Sequence, residues 1–132
     1  LGCSDIEYLD INEQSLVKRL DKIKKQEGTI VLGSVGSIST ELKGQDTVIK
    51  ALAKLKAEGL TNYKFTMVGA GNPDRLRNLA IELGVENQIQ FLGEFKHDDV
   101  LIWFEDIDIY IHPSRSEGLP RTILEAMTKA AP

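Results

Sequence analysis

The sequence has one cysteine in 132 residues, two histidines, one tryptophan and more acid than base. The lone Cys3 forms no disulfide within the chain, so a reducing compartment is the default setting. It also lacks a ligand-spaced partner, and His97 and His112 stand far apart in sequence, which argues against a metal centre. Neither histidine accompanies a serine or cysteine in a recognisable nucleophile motif. Sixteen basic against twenty acidic residues give a net charge of −4. That balance argues against a nucleic-acid partner, which needs clustered lysine and arginine. No apolar run approaches the roughly 18 residues of a membrane span, and the opening residues lack a signal peptide's layout. The hydrophobic content, 42%, is ordinary for a globular domain, and the length suffices for one core. The chain starts without methionine and stops at Pro132 directly after a helix pattern, where an α/β fold begins its next strand. It therefore reads as a segment of a longer protein.

Periodicity supplies the organisation. Residues 12–26, "NEQSLVKRLDKIKKQ", set Leu16, Leu20 and Ile23 at helical spacing among charges, the pattern of an amphipathic helix. We take residues 1–28 as a linker and this helix, and 29–132 as the domain proper. "GTIVLGSVG" is a buried-strand pattern ending in glycine. The polar loop "SISTELKGQD" and the helix pattern "QDTVIKALAKLKAEG", closed by Gly59, follow it. "YKFTMVGAG" repeats the strand and glycine turn, and "NPDRLRNLAIELG" is a helix with Pro73 in its first turn and Gly84 at its end. "NQIQFLG" is a third strand, "HDDVLIWFED" a short helix with an acidic first turn, "IDIYIHP" a fourth strand and "GLPRTILEAMTKA" the last helix. The stripe Leu76, Leu79, Ile81, Leu83 is expected in the core, as are Trp103 and Phe104.

Strand and helix patterns thus alternate four times. Connections this short predict βα units: a doubly wound, Rossmann-like parallel sheet with helices on both faces. Such sheets bind ligands at the carboxyl ends of their strands. Those ends read "SVGS", "VGAG", "LGEF" and "HPSRSEG", with glycine at or just past each.

Each candidate has a plainer alternative. "VGAGNPDRL" is a glycine turn before a helix, able to face an anion. It lacks the third glycine of the dinucleotide fingerprint, so a tight turn packing strand on helix explains it as well. Lys43 in "ELKGQD" is either a solvated surface lysine or a cation at the strand-end cleft, and the spacing is not that of a P-loop. In "HPSRSEGLPRTILEAM", Pro113 and Pro120 stiffen a connection in which Gly118 leaves amides unshielded before a helix. Taken as two helical turns beyond Gly118, Glu125 shares its face, so an anion near Gly118 would extend its hydroxyls toward a carboxylate. Helix-start chemistry for Glu117 and solvation for Glu125 account for the same residues.

The stretch "DIYIHPSRSEGLPRTILEAM" closely resembles the nucleotide-sugar-binding half of the family 4 (group 1) retaining glycosyltransferases of GT-B fold. The resemblance runs from about Val31 to Pro132. It includes the lysine-glycine pair Lys43 and Gly44 after the first strand, Val68 to Gly71 after the second and Phe91 to Gly93 after the third. It implies two catalytic groups. Glu117 would face the donor sugar, and Lys43 would contact the diphosphate. The Gly118 and Leu119 amides would lie at the sugar and phosphates, Glu125 would hold the ribose hydroxyls, and Glu94 and Phe95 would flank the base. Gly36, Ser37, Gly69, Gly71, Ser116 and Pro120 complete the implied binding set.

The implied reaction moves a sugar from a UDP-, GDP- or ADP-linked donor to an acceptor hydroxyl with retention, without cofactor or essential metal. The implied setting is bacterial cell-surface polysaccharide or lipopolysaccharide synthesis. Such enzymes are cytoplasmic and often peripheral at the inner face of the membrane. Another domain would hold the glycan or lipid-linked acceptor, so the fragment alone is expected to be inactive. The chain departs from the pattern in two places: Ser37 follows Gly36 where arginine is usual, in a loop about one residue longer, and Ala130 stands where glycine is usual. A non-catalytic nucleotide-binding module and a nucleotide-sugar epimerase of related fold are the alternative readings; a receiver-like domain would want an acidic cluster that is not seen.

Overall fold

The computed structural model describes residues 13–25 and 27–132. Cys3, the stretch expected to be linker, and the two end residues of the first helix pattern lie outside them. The elements are α1 (Glu13–Lys24), β1 (Ile30–Val35), α2 (Gln45–Ala57), β2 (Tyr63–Val68), α3 (Asp74–Glu82), β3 (Ile89–Gly93), α4 (His97–Asp106), β4 (Ile109–Tyr110) and α5 (Arg121–Thr128). Single 3-10 turns at Glu41–Lys43 and Glu86–Gln88 precede α2 and β3.

All strand pairings are parallel, in the order β3-β2-β1-β4. β1 and β2 pair over their whole lengths, from Ile30 opposite Tyr63 to Val35 opposite Val68. Parallel strands buried on both faces need apolar side chains on both, and β2 is buried at five of its six residues. The sheet divides the core. On one face Leu32, Phe65 and Met67 pack with Ile49, Leu52, Leu76 and Ala80 of α2 and α3. On the other, Val31, Val35 and Val68 pack with Val100, Trp103 and Phe104 of α4 and Ala126 of α5. Phe104 is fully buried and meets Tyr110 edge-on at 5.2 Å, a favoured aromatic geometry.

Three expectations are corrected. The fourth strand is much shorter than "IDIYIHP". Only Ile109 and Tyr110 are strand, although Asp108 N–H and Ile111 N–H still donate to the Val31 and Gly33 carbonyls, both at 2.7 Å. The chain leaves the sheet at His112 and Pro113, where proline has no N–H to donate. Ile81 is 55% exposed on the outer side of α3, so the core stripe of that helix is Leu76, Leu79, Ala80 and Leu83. In α1 the expected apolar face is turned outward: Leu16, Leu20 and Ile23 are exposed and Arg19 is the buried residue.

The physical reason for that inversion lies 88 residues away. The Arg19 guanidinium donates to the Ile107 carbonyl and, at 2.7 Å, to that of Phe104. It thereby satisfies carbonyls at the end of α4 that no helical N–H can reach. Lys22 pairs with Asp108 at 3.0 Å, and the other carboxylate oxygen of Asp108 accepts from Val31 N–H at 2.7 Å. Two cations at a helix carboxyl end also suit its dipole. Burial lowers the Arg19 pKa, and the nearby Asp108 and Glu105 charges oppose that shift.

Candidate functional site

Strand order reverses between β1 and β4. From β1 the chain moves one way to β2 and β3, then returns to lay β4 on the other side of β1. Loops leaving the carboxyl ends of β1 and β4 therefore diverge and open a crevice, the usual ligand position in a doubly wound sheet. The first loop carries Gly36 to Lys43 and the second His112 to Pro120.

The two loops are tied together at their base. Arg115 Nη2 donates to Asp46 Oδ2 at 2.7 Å and to Thr47 Oγ1 at 3.2 Å, and its backbone N–H donates to the Leu42 carbonyl at 2.8 Å. Asp46 lies in the first turn of α2. Burial pushes its carboxyl up, but the Arg115 hydrogen bond and charge, with Lys50, outweigh that and leave it below its ordinary value. Gly44 caps the turn before α2 at φ 68°, and a Cβ there would overlap the Pro113 carbonyl oxygen. Only glycine allows both the left-handed backbone and this approach.

Above that base, charges face each other across the crevice. Lys43 Nζ pairs with Glu117 Oε1. Its aliphatic chain lies over Gly36, where an added Cβ would stand 3.1 Å from Lys43 Cδ. Glu117 Oε1 also accepts from Ser114 Oγ at 3.0 Å and faces His112 Nε2 at 3.6 Å. The Lys43 hydrogen bond, then that of Ser114, hold the Glu117 carboxyl below its ordinary range. Ser37 sits at the loop's exposed edge and its carbonyl accepts from the buried Gln45 side chain at 3.2 Å.

Glu125 lies in α5, its side chain 14% exposed, with Oε1 3.7 Å from His97 Nδ1 at the start of α4. Burial raises the pKa of the Tyr110 phenol, and the Glu125 and Glu117 charges add to that rise. Gly118, however, precedes α5 by three residues, so it does not share a helical face with Glu125 as its spacing suggested. A Cβ on Gly118 would meet no atom within 4 Å. There is open space beside its Cα. Ser116 and Leu119 are exposed on the same loop, and Pro120 is the residue just before α5.

Gly69 and Gly71 form the floor. A Cβ on Gly69 would overlap the Gly36 backbone, and one on Gly71 would overlap Ser39, whose Oγ accepts from Asn72 N–H at 3.0 Å. Close packing of two strand-end loops is thus sufficient reason for both glycines. After β3, Glu94 is exposed and Phe95 packs on the α4 face of the core. The structure accordingly brings Lys43, Gly36, Glu117 and Gly118 together at the crevice. Sequence reasoning missed His97, His112, Tyr110 and Ser114 as neighbours of the two glutamates. The "HP" at a strand end was the only available signal.

The profile describing the glycosyl transferases group 1 matches residues 18–132. Protein CapJ of Staphylococcus aureus is 31% identical over 131 residues, 98% of this chain and 33% of CapJ. The lipopolysaccharide core biosynthesis mannosyltransferase LpcC of Rhizobium leguminosarum bv. viciae is 30% identical over 76% of this chain and 29% of its own length. The crystal structure of WaaG, a glycosyltransferase involved in lipopolysaccharide biosynthesis, superposes with a TM-score of 0.73 at 30% identity, over 92% of this chain and 32% of WaaG. The chain spans about a third of the length of these relatives. Its four-stranded parallel sheet corresponds to part of their GT-B fold. Matched along most of its length, the chain belongs to the group 1 glycosyl transferases.

Proposed function

We propose that this domain binds the donor of a retaining sugar transfer, a UDP-, GDP- or ADP-linked sugar, in the crevice between the β1 and β4 loops. One observation supports the reading above others: Lys43 and Glu117 meet across the strand-order reversal, beside open space at the Gly118 Cα. In this reading the diphosphate lies against Lys43 and the amides from Gly118 to the first turn of α5. Glu117 faces the sugar, Glu125 takes the ribose hydroxyls, and Glu94 and Phe95 flank the base.

The chemistry follows from those positions. The bond from the anomeric carbon to the diphosphate oxygen breaks, the acceptor's hydroxyl oxygen bonds to that carbon on the same face, and the hydroxyl proton passes to the departing diphosphate oxygen. Negative charge grows on the leaving diphosphate, and preorganised positive groups stabilise it as it forms. Lys43 and the backbone amides supply that stabilisation, so no metal is required. Without arginine at Ser37, Lys43 carries more of this role. A further domain holds a glycan or lipid-linked acceptor, and this chain alone transfers no sugar. Relatives named for lipopolysaccharide biosynthesis support a role in bacterial surface polysaccharide assembly, in the cytoplasm or at the inner membrane face. Among the described residues no helix is long and apolar enough to cross a membrane.

The test is transfer by the full-length protein with UDP-, GDP- and ADP-linked hexoses in chelator, the product's anomeric configuration read by NMR. Transfer with retention from one of them is expected. Inversion, or transfer that stops on chelation, contradicts the reading.

A further inference from the structure

His112 stands where β4 ends and the crevice loop begins, its side chain 14% exposed. Its Nδ1 lies 3.2 Å from the Tyr110 hydroxyl. Its Nε2 is shielded from solvent and lacks a hydrogen-bond partner at ordinary length. The atom it faces is Glu117 Oε1, at 3.6 Å. That same oxygen is held by Lys43 and Ser114. A buried imidazole nitrogen left without a partner is costly, so its aim at a carboxylate calls for an explanation.

The tautomer that suits this geometry has the Tyr110 hydroxyl as donor and Nδ1 as acceptor. Burial pushes the phenol pKa up, its contacts to the Thr122 hydroxyl and the Val35 backbone oppose this, and the Glu125 and Glu117 charges add to the rise. A phenol that keeps its proton can donate it to Nδ1 across this 3.2 Å contact. A neutral imidazole that accepts at Nδ1 carries its hydrogen on Nε2. The N–H then points at Glu117.

We propose that His112 is a positioning residue for Glu117: its Nε2–H holds the carboxylate toward the donor sugar once Lys43 turns to the diphosphate. The inference rests on the donor reading above. Lys43 and Glu117 neutralise each other in this structure, and an ammonium drawn onto a dianion loosens its grip on the carboxylate. Ser114 alone leaves Glu117 one short hydrogen bond on a loop whose neighbours are exposed. A small rotation brings Nε2 within hydrogen-bond length and supplies a second. Tyr110, seated on Phe104, fixes the ring from behind.

The experiment is calorimetry on the full-length protein with each UDP-, GDP- and ADP-linked hexose and its matching nucleoside diphosphate. His112→Phe keeps the ring's bulk and removes the donor; His112→Gln restores an N–H near Nε2. In His112→Phe the bound nucleotide sugar is expected to weaken about tenfold, the scale of one charge-assisted hydrogen bond. The nucleoside diphosphate, which carries no sugar, is expected to change by less than about twofold, and His112→Gln to recover most of the loss. Equal weakening of both ligands, or no recovery in His112→Gln, overturns the inference in favour of a packing role. Glu117→Gln run in parallel separates the two levels. If it leaves sugar binding unchanged, the donor reading of Glu117 fails and the inference with it. If it weakens sugar binding while His112→Phe does not, only the role of His112 fails.

Discussion

At the scale of single residues, the site turns on one ion pair. Glu117 is a carboxylate with two donors, Lys43 and Ser114, on one oxygen and the His112 Nε2 atom 3.6 Å from it. Its folded pKa is depressed, so the pairing is complete at neutral pH and persists below the usual carboxylate value of 4.5. The stability it contributes is lost only as pH falls through the depressed folded value. Carboxyl-carbon NMR of the Glu117 side chain is expected to titrate below 4.5, and Lys43→Ala to move that midpoint upward. A Glu117 that titrates alike in both proteins would mean that Lys43 does not set its charge state. Within this structure each of the two residues is the other's counter-ion.

At the scale of elements, the termination of α5 shows a departure from the family pattern becoming a measurable strain. Ala130 has φ 51°, the only non-glycine residue with positive φ among those described. Two hydrogen bonds define the motif: Ala131 N–H donates to the Ala126 carbonyl and Ala130 N–H to that of Met127, both at 3.0 Å. This is a Schellman ending, and its left-handed position favours glycine. An alanine there bears a left-handed cost of order 1 kcal/mol. Ala130→Gly is therefore expected to stabilise the protein by about 1 kcal/mol, read as a rise of about 4 °C in thermal unfolding. A drop in the unfolding temperature would show that Ala130 contributes packing beside Ala126 and Ala131 that outweighs its backbone strain. The element bears on the proposed site because α5 carries Glu125, and Pro132 at its far side accepts from Tyr110 N–H at 2.7 Å.

At the scale of the whole molecule, what the sequence revealed and what it hid divide along contact range. Glycines at strand ends, alternating apolar runs and short connections are local patterns, and they gave the parallel sheet, its helices and the end of the sheet that holds the crevice. The site's composition was readable only in part. Lys43 and Glu117, 74 residues apart, carry no mutual signal until the strand order brings their loops together. The sequence sets His112 aside as a metal ligand and as part of a nucleophile motif, and its partners, Tyr110 and Glu117, are defined by where β4 stops. The inward turn of Arg19 was hidden for the same reason: its partners are carbonyls on α4, and local periodicity pointed the other face of α1 at the core.

The central claim is that this crevice holds a nucleotide by its diphosphate and ribose. The most direct test is calorimetric titration of UDP, GDP and ADP into the full-length protein and its Lys43→Ala and Glu125→Ala variants. One of the three nucleotides is expected to bind the wild type, and each substitution to weaken it about tenfold or more, the worth of a lost hydrogen bond to a charged group. A wild type that binds none of the three, or a Glu125→Ala protein that binds as tightly as the wild type, would contradict it.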